Sequence, residues 1–309
     1  SELAVARLGM SIHSGFAQSL PELTNIDIQH RFRPALDLAF TDTEAVEARS
    51  QVKWRANEDG YSVQWIDTQE VHILVPEVSE NILGAVFTTG VADVEPYRLM
   101  LALTTACEKM GVDIIHTRAQ GLNYKESSVE SVSTDRGDIY CDSAVLAMGP
   151  WSLNASEWIK QDIPITPLKG QILRMKSDEV NLNMSVGWRG NYACTKPDGL
   201  LWAGTTEENT GFDDSTSAFG RDSVLTALTK MINGLDSAEL VHHTACLRPL
   251  SADGKIILGD VPDISHLFIA SGTGRKGILL GPGMGKLTSD LITNQPIGID
   301  LNPFSLSRF

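Results

Sequence analysis

This sequence is short of basic charge: 25 Lys and Arg stand against 39 Asp and Glu, a formal net charge of −14. That balance argues against nucleic acid or an anionic membrane surface as the main partner, although a single cleft can still be locally basic. Long apolar runs are also missing. No segment approaches the roughly 20 apolar residues that span a bilayer. The first 16 residues have neither the basic flank nor the unbroken apolar stretch of a secretory leader. Cysteine is sparse, and Cys107, Cys141, Cys194 and Cys246 include no C-x-x-C pair. Reduced thiols in a cytoplasmic protein are therefore expected, and the N-x-S sequons at Asn154 and Asn183 read as chance. His242 and His243 have no metal-ligand spacing with other residues, so no metal site is expected.

What remains is an ordinary globular composition, 42% hydrophobic and 21% charged, in a chain of 309 residues. That length suits two domains or one large one. The first 20 residues carry an apolar stripe that predicts a helix ending before Pro21. "RFRPALDLAFTD" reads as a strand and "TDTEAVEARSQVKWRAN" as a solvated helix. A strand near Gly84–Phe87, a Pro-started helix from Pro96 to Met110 closed by Gly111, and the buried strand "VDIIHTRA" make a βαβ pattern. A hairpin turning at Asp135–Gly137 and an apolar strand from Ala144 to Met148 follow. From Pro164 to Gly204 the chain reads as a meander. "GRDSVLTALTKMING" is an amphipathic helix capped by Gly234, and strand-rich sequence leads to a final strand, glycine loop and helix.

In that final unit Gly272, Gly274 and Gly277 spell G-x-G-x-x-G. A dinucleotide fingerprint also needs a second strand and an acidic residue about 20 positions on. Asp300 lies 23 residues beyond Gly277, but the intervening sequence offers no convincing strand. A phosphate-binding P-loop is excluded, because Leu280 stands where glycine is required and Leu287 where Ser or Thr is required. What survives is a strand, a tight turn and a helix whose first N–H groups can face an electron-rich group. A merely tight turn packing a terminal helix on a sheet accounts for the same residues.

The ordered set "VEPYRLMLAL", "AVLAMGPWS", "PLKGQ", "YACTKPDGLLWAGTTEE" and "LRPLSADGKIILGDVP...LFIASGTGRKGILLGPGMG" resembles the D-amino-acid oxidase (DAO) superfamily of flavoproteins. It is nearest to the glycine oxidase, sarcosine oxidase and small D-amino-acid dehydrogenase branch. The resemblance implies a mixed α/β (α+β) fold: an FAD/NAD(P)-binding Rossmann-like domain with an interleaved antiparallel-sheet substrate domain. The division it suggests gives residues 1–25, 90–153 and 246–309 to the FAD-binding domain, and 26–89 and 154–245 to the substrate domain. The implied activity is FAD-dependent oxidation of the amine of glycine, sarcosine or a small D-amino acid to an imine, by hydride transfer to flavin.

By the same resemblance, Arg248 grips the substrate carboxylate and Tyr192 brings its hydroxyl to the same group. Arginine suits the task because its planar fork binds a carboxylate bidentately and stays charged in a closed pocket. Read without the resemblance, Arg248 is an ordinary ion-pairing residue and Tyr192 a half-buried meander tyrosine. The implied flavin contacts are Ala119 at the adenine end, Ala147 and Gly149 at the end of an apolar strand, and the loop Gly272, Thr273, Gly274, Arg275, Gly277, Ile278 and Leu279 at the pyrimidine edge. Thr273 stands where glycine oxidases often carry histidine.

The family begins with a strand, its own G-x-G-x-x-G and a helix, and "SELAVARLGMSIHSGF" resembles the helix that follows that unit. About 60 family residues, on the scale of a βαβ unit, thus have no counterpart here. Three accounts stay open: a truncated chain, a subunit whose partner or homo-oligomeric neighbour supplies the missing segment, or a non-catalytic relative that no longer holds FAD alone.

Overall fold

The computed structural model describes residues 2–55 and 61–309. The chain opens on α1 (Glu2–Thr24), which buries Val5, Gly9, His13 and Leu20. Their spacing of four or seven residues makes one stripe along the helix. The helix does not stop before Pro21. It continues to Thr24, because Leu20 is held in an apolar cluster with Leu99, Ala102 and Ala106 of α4 (Pro96–Lys109). Thr24 Oγ1 donates to the Leu20 carbonyl at 2.6 Å and closes the last turn.

The sequence around Arg31 forms two strands, not one, since Pro34 interrupts it. β1 (Arg31–Phe32) pairs with β5 (Ala92–Asp93). β2 (Ala35–Ala39) joins β3 (Ser62–Ile66) and β4 (Gly84–Thr89). These three extend a sheet built mainly from β10 (Ile165–Lys176), β11 (Ser185–Trp188), β12 (Asn191–Thr195), β13 (Leu201–Gly204) and β14 (Glu239–Ser251). The eight strands run in the order β14-β10-β13-β12-β11-β2-β4-β3. Pairing is antiparallel except between β11 and β2. The predicted meander is therefore present, with β11 as an additional strand.

Three helices lie against this sheet: α2 (Asp42–Arg55), α3 (Thr68–Leu74) and α6 (Ala218–Met231). Ala56 and Asn57, the end of the predicted second helix, lie outside the described residues. In α6, Val224, Leu228 and Met231 face a core that includes Leu36, Leu173 and Leu201. Each such buried side chain contributes roughly 1.5–3 kcal/mol. Helix α6 is closed at Ile232, and Gly234 (φ 75°) turns the chain two residues later.

A smaller sheet has the order β15-β16-β9, from β15 (Ile257–Asp260), β16 (Leu267–Ser271) and β9 (Ala144–Leu146). Its core of Leu146, Ile165, Ile257, Leu267 and Ile269 also takes in α5 (Ser156–Ile159). The last helix, α7 (Gly277–Ile292), packs along α1. Glu2 ties the two ends of the chain together, accepting from the Ile256 N–H at 2.9 Å and from Lys276.

The expected βαβ unit is not formed. β4 belongs to the antiparallel sheet, and Val112–Arg118 is not a strand. Val112, Ile114 and Ile115 are exposed. An apolar β-branched run becomes a buried strand only where another strand offers it a ladder, and none of the described residues does so here. After it, β6 (Ala119–Lys125), β7 (Ser128–Thr134) and β8 (Gly137–Tyr140) form an outer three-stranded sheet, with the predicted turn at Asp135–Gly137. All four cysteines are free thiols, and only Cys194 is buried. Among the described residues no helix is long and apolar enough to cross a membrane, and no group of His, Cys, Asp or Glu could hold a metal ion.

Candidate functional site

The loop after β16 is built by glycine. Gly272 (φ 79°) and Gly274 (φ 53°) occupy the left-handed region, which a side chain disfavours. A short 3-10 turn, Gly274–Lys276, then feeds α7. No side chain caps the first turn of α7, so its leading N–H groups remain available to something else.

Two other segments converge on this loop. Gly149 (φ 54°) accepts hydrogen bonds at its carbonyl from Ser152 Oγ at 2.7 Å and Ser271 Oγ at 3.2 Å, so the end of β9 is fastened beside Gly272. Space around the Gly149 Cα is open. On the other side Thr273 bridges to Leu250 of β14, two residues from Arg248.

Arg248 and Tyr192 meet through the strand pairing. Tyr192 on β12 is registered against Gly204 on β13. The next residue, Thr205, accepts from Arg248 Nη2 through its Oγ1 at 2.6 Å, and the Thr206 carbonyl accepts from Nη1 at 3.2 Å. The remaining N–H groups of the guanidinium fork have no such partner among the described residues. Burial, the largest influence on Arg248, pulls its pKa below the ordinary arginine value. Burial also pushes the Tyr192 phenol up to about 12, against the opposing pull of Arg248, Arg275 and Arg174. Tyr192 is thus a neutral O–H donor at physiological pH.

Arg275 reaches toward the same place from the loop. Its Nη2 donates to the Gly190 carbonyl at 2.6 Å, two residues before Tyr192, and its Nη1 meets Glu207 at 3.2 Å. A cavity of about 310 Å³ opens beside it, lined by Met10, His13, His30, Asp93, Arg275 and Ile278, with Leu279 at its edge. His13 Nε2 donates to the Ile278 carbonyl at 2.7 Å, and its buried Nδ1 has no partner. The buried Nε2 of His30 is also unpartnered. Asp93 forms the wall shared with a second cavity of about 300 Å³, which reaches Tyr192. Its carboxylate is held by Arg31 (2.9 Å), Arg33 (3.1 Å) and Lys196 (2.9 Å).

The structure therefore gathers Tyr192, Arg248, Gly149, Thr273, Arg275 and the start of α7 into one region. Ala147 is exposed two residues before Gly149. Ala119 stands apart as the exposed first residue of β6, paired with Thr134. Sequence reasoning missed His13, His30 and the Asp93 cluster, whose members are brought together from distant segments and carry no spacing signal. It also missed the hydrogen-bond partners of Lys169 and Gln171, although the "PLKGQ" run that contains them is visible. Lys169 is 2% exposed, and its Nζ reaches Asp213 (2.9 Å) and Glu208 (3.7 Å).

A family model described as FAD dependent oxidoreductase (DAO) matches residues 2–291. The glycine oxidase of Bacillus subtilis (strain 168) is 28% identical over 299 residues, covering 96% of this chain and 79% of that protein. The glycine oxidase of Geobacillus kaustophilus (strain HTA426) is 30% identical over 295 residues, covering 94% of this chain and 78% of that protein. A crystal structure of glycine oxidase from Geobacillus kaustophilus superimposes with a TM-score of 0.95 at 27% identity, over 100% of this chain and 83% of the other.

Proposed function

From the chain's membership of the DAO family of FAD-dependent oxidoreductases, we propose that it oxidises the amine of a small amino acid, namely glycine, sarcosine or a D-amino acid, to the imine. The observation that carries this reading is the half-buried Arg248 fork beside the neutral Tyr192 hydroxyl, next to the Gly272–Gly277 loop. A carboxylate is the group such a pair recognises, and a small cavity limits what can be attached to it.

The residues present suit a flavin ring. The uncapped start of α7, the left-handed glycines 149, 272 and 274, and the unpartnered ring nitrogens of His13 and His30 are what a flat group with a polar edge requires. The loop from Gly272 to Leu279 would hold the ring's electron-rich edge, and Ala147 and Gly149 would leave room for the cofactor beside the end of β9. Ala119 is proposed for the adenine end. When bound, FAD supplies the acceptor for the hydride equivalent leaving the substrate carbon. Arg248 and Tyr192 would hold the carboxylate and so orient the substrate carbon toward the cofactor. Arg275, tied to the Gly190 carbonyl, spans from the loop to the sheet beside that region. The core around the eight-stranded sheet draws only on residues within 36–85 and 173–232, which supports grouping those segments in the substrate domain. Ala155, Ile159, Ile163 and Ile165, given to the same domain above, pack instead in the core of the three-stranded sheet.

A second reading is favoured by the exposed Val112, Ile114 and Ile115. In it, the chain holds FAD only with a further polypeptide covering that segment. Visible absorbance of the purified chain, before and after soaking with FAD, separates the two. Flavin bands that bleach anaerobically with glycine, sarcosine or D-alanine support the first reading. A colourless protein that takes up no flavin defeats it.

A further inference from the structure

Arg248 does not reach its partners along its own strand. It leaves β14 at the position registered against Leu168 of β10, and its guanidinium ends on Thr205 and Thr206, on the far side of β10. Between the two lies Gly170, registered against Cys246. The guanidinium crosses directly over this glycine. A Cβ built there would stand 1.9 Å from Nη2, 2.2 Å from Cζ and 2.3 Å from Nη1.

The backbone does not call for glycine at this point. Gly170 lies inside a buried strand of 12 residues and is not among the residues with positive φ. A glycine in the middle of a strand weakens it relative to alanine. The space above Gly170 therefore serves the side chain that crosses it. Lys169 and Gln171, whose side chains alternate to the opposite face, secure the other end of the crossing. Gln171 Nε2 donates to Glu208 at 2.7 Å, Thr206 Oγ1 donates to the same carboxylate oxygen at 2.5 Å, and the Gln171 N–H donates to Thr206 Oγ1 at 2.9 Å. Thr206, whose carbonyl receives Arg248, is thus fixed from below by β10 itself.

We propose that Gly170 is a positioning residue for substrate binding. The bare backbone sets the height of the Arg248 guanidinium above β10, and with it the position at which the substrate carboxylate is bound. This rests on Arg248 as the carboxylate-binding residue. A methyl group at 170 lifts the guanidinium by at least about 1.5 Å to reach ordinary contact distance, which takes it off the Thr205 and Thr206 oxygens and out of hydrogen-bond reach of a carboxylate at its parent position. Because the displaced group is the end of a flexible side chain, the fold tolerates the change while the site does not.

The test compares holoenzyme carrying Gly170→Ala, Arg248→Ala and both, with acetate as a carboxylate probe read from the flavin absorbance it perturbs. Gly170→Ala is expected to raise KM and the acetate Kd together by tenfold to 100-fold, with kcat changed less than threefold. It is expected to add nothing on the Arg248→Ala background. KM and acetate Kd within twofold of the parent, when Arg248→Ala raises both, would overturn the role of Gly170. No rise with Arg248→Ala would instead overturn the reading of Arg248 on which it rests. Should Gly170→Ala lower the thermal midpoint so far that the protein is lost, the double variant decides. Recovery of the midpoint once the guanidinium is gone supports the crossing, and no recovery overturns it.

Discussion

Gly9 of α1 and Gly283 of α7 meet backbone to backbone. A Cβ on Gly283 would lie 3.1 Å from the Gly9 nitrogen and 2.7 Å from the Val5 carbonyl oxygen, and one on Gly9 would lie 2.1 Å from the Leu279 carbonyl oxygen. Neither residue has positive φ, so the requirement for glycine comes from the approach of the two helices. It fixes the start of α7 against a backbone that cannot yield as a side chain would.

Gly9→Ala is accordingly expected to destabilise the protein by about 2–3 kcal/mol, the cost of overpacking against rigid backbone. Gly15, in the same helix, has nothing within 4 Å of its missing Cβ. There alanine is expected to stabilise by about 0.5–1 kcal/mol. Urea midpoints of the two variants should move in opposite directions.

Arg248→Lys tests the fork itself. Lysine keeps the charge but cannot donate at the same time to Thr205, Thr206 and a carboxylate in the guanidinium geometry. The expected result is a rise in KM of roughly tenfold to 100-fold, about 1.5–3 kcal/mol of lost charge-assisted hydrogen bonding, with a smaller change in kcat. Steady-state kinetics with the amino acid that bleaches the flavin would check it.

Tyr192→Phe removes a neutral hydrogen bond, so KM should rise only about twofold to tenfold. The pH dependence of stability gives an independent readout. The phenol is raised from 10.0 to about 12 in the folded state. Its contribution is therefore intact below pH 10 and is lost as pH rises through about 12, because the unfolded chain gives up that proton first. Alkaline unfolding followed by circular dichroism should be shallower for the phenylalanine variant.

Asp253 is paired with Arg308 through two contacts of 2.9 Å, and that pairing, the largest influence, lowers its carboxyl from 3.8 to about 2. The stabilisation is complete above the ordinary carboxylate range and disappears as pH falls through about 2. Arg308→Ala should cost about 1 kcal/mol at neutral pH, modest because the pair is partly solvated. The difference from the parent in denaturant titrations should narrow below pH 4 and close near pH 2.

How much of this was legible in the sequence varies with the range of the forces involved. The α7 unit could be read from Gly272 to Ile292, because a strand, left-handed glycines and a helix are local chemistry. The same holds for α4, with Pro96 at its start and Gly111 (φ 86°) just past its end. Pro21 misled because a proline inside a helix can be outvoted by packing, here of Leu20 against α4. Val112–Arg118 misled for the converse reason: its composition says strand, but a strand exists only with its neighbour. The neighbourhood of Arg248 and Tyr192 could be expected only from the family resemblance, since residue spacing does not reveal that β12, β13 and β14 lie in one sheet. A buried lysine such as Lys169 could not be read at all, since only its distant partners Glu208 and Asp213 make that burial tolerable.

The tie between Glu2 and the segment Ile256–Lys276 also dictates an order of assembly. During synthesis α1 emerges well before the surfaces that receive Val5, Gly9 and His13, which belong to residues made more than 240 positions later. At roughly 5–20 residues per second, the part of α1 from Val5 to His13 waits about 10–50 s for those surfaces. The eight-stranded sheet, whose last strand ends at Ser251, can be complete before that wait is over. The face around Val5 and Gly9 therefore stays unsheltered for longer than any strand of that sheet waits for its partner.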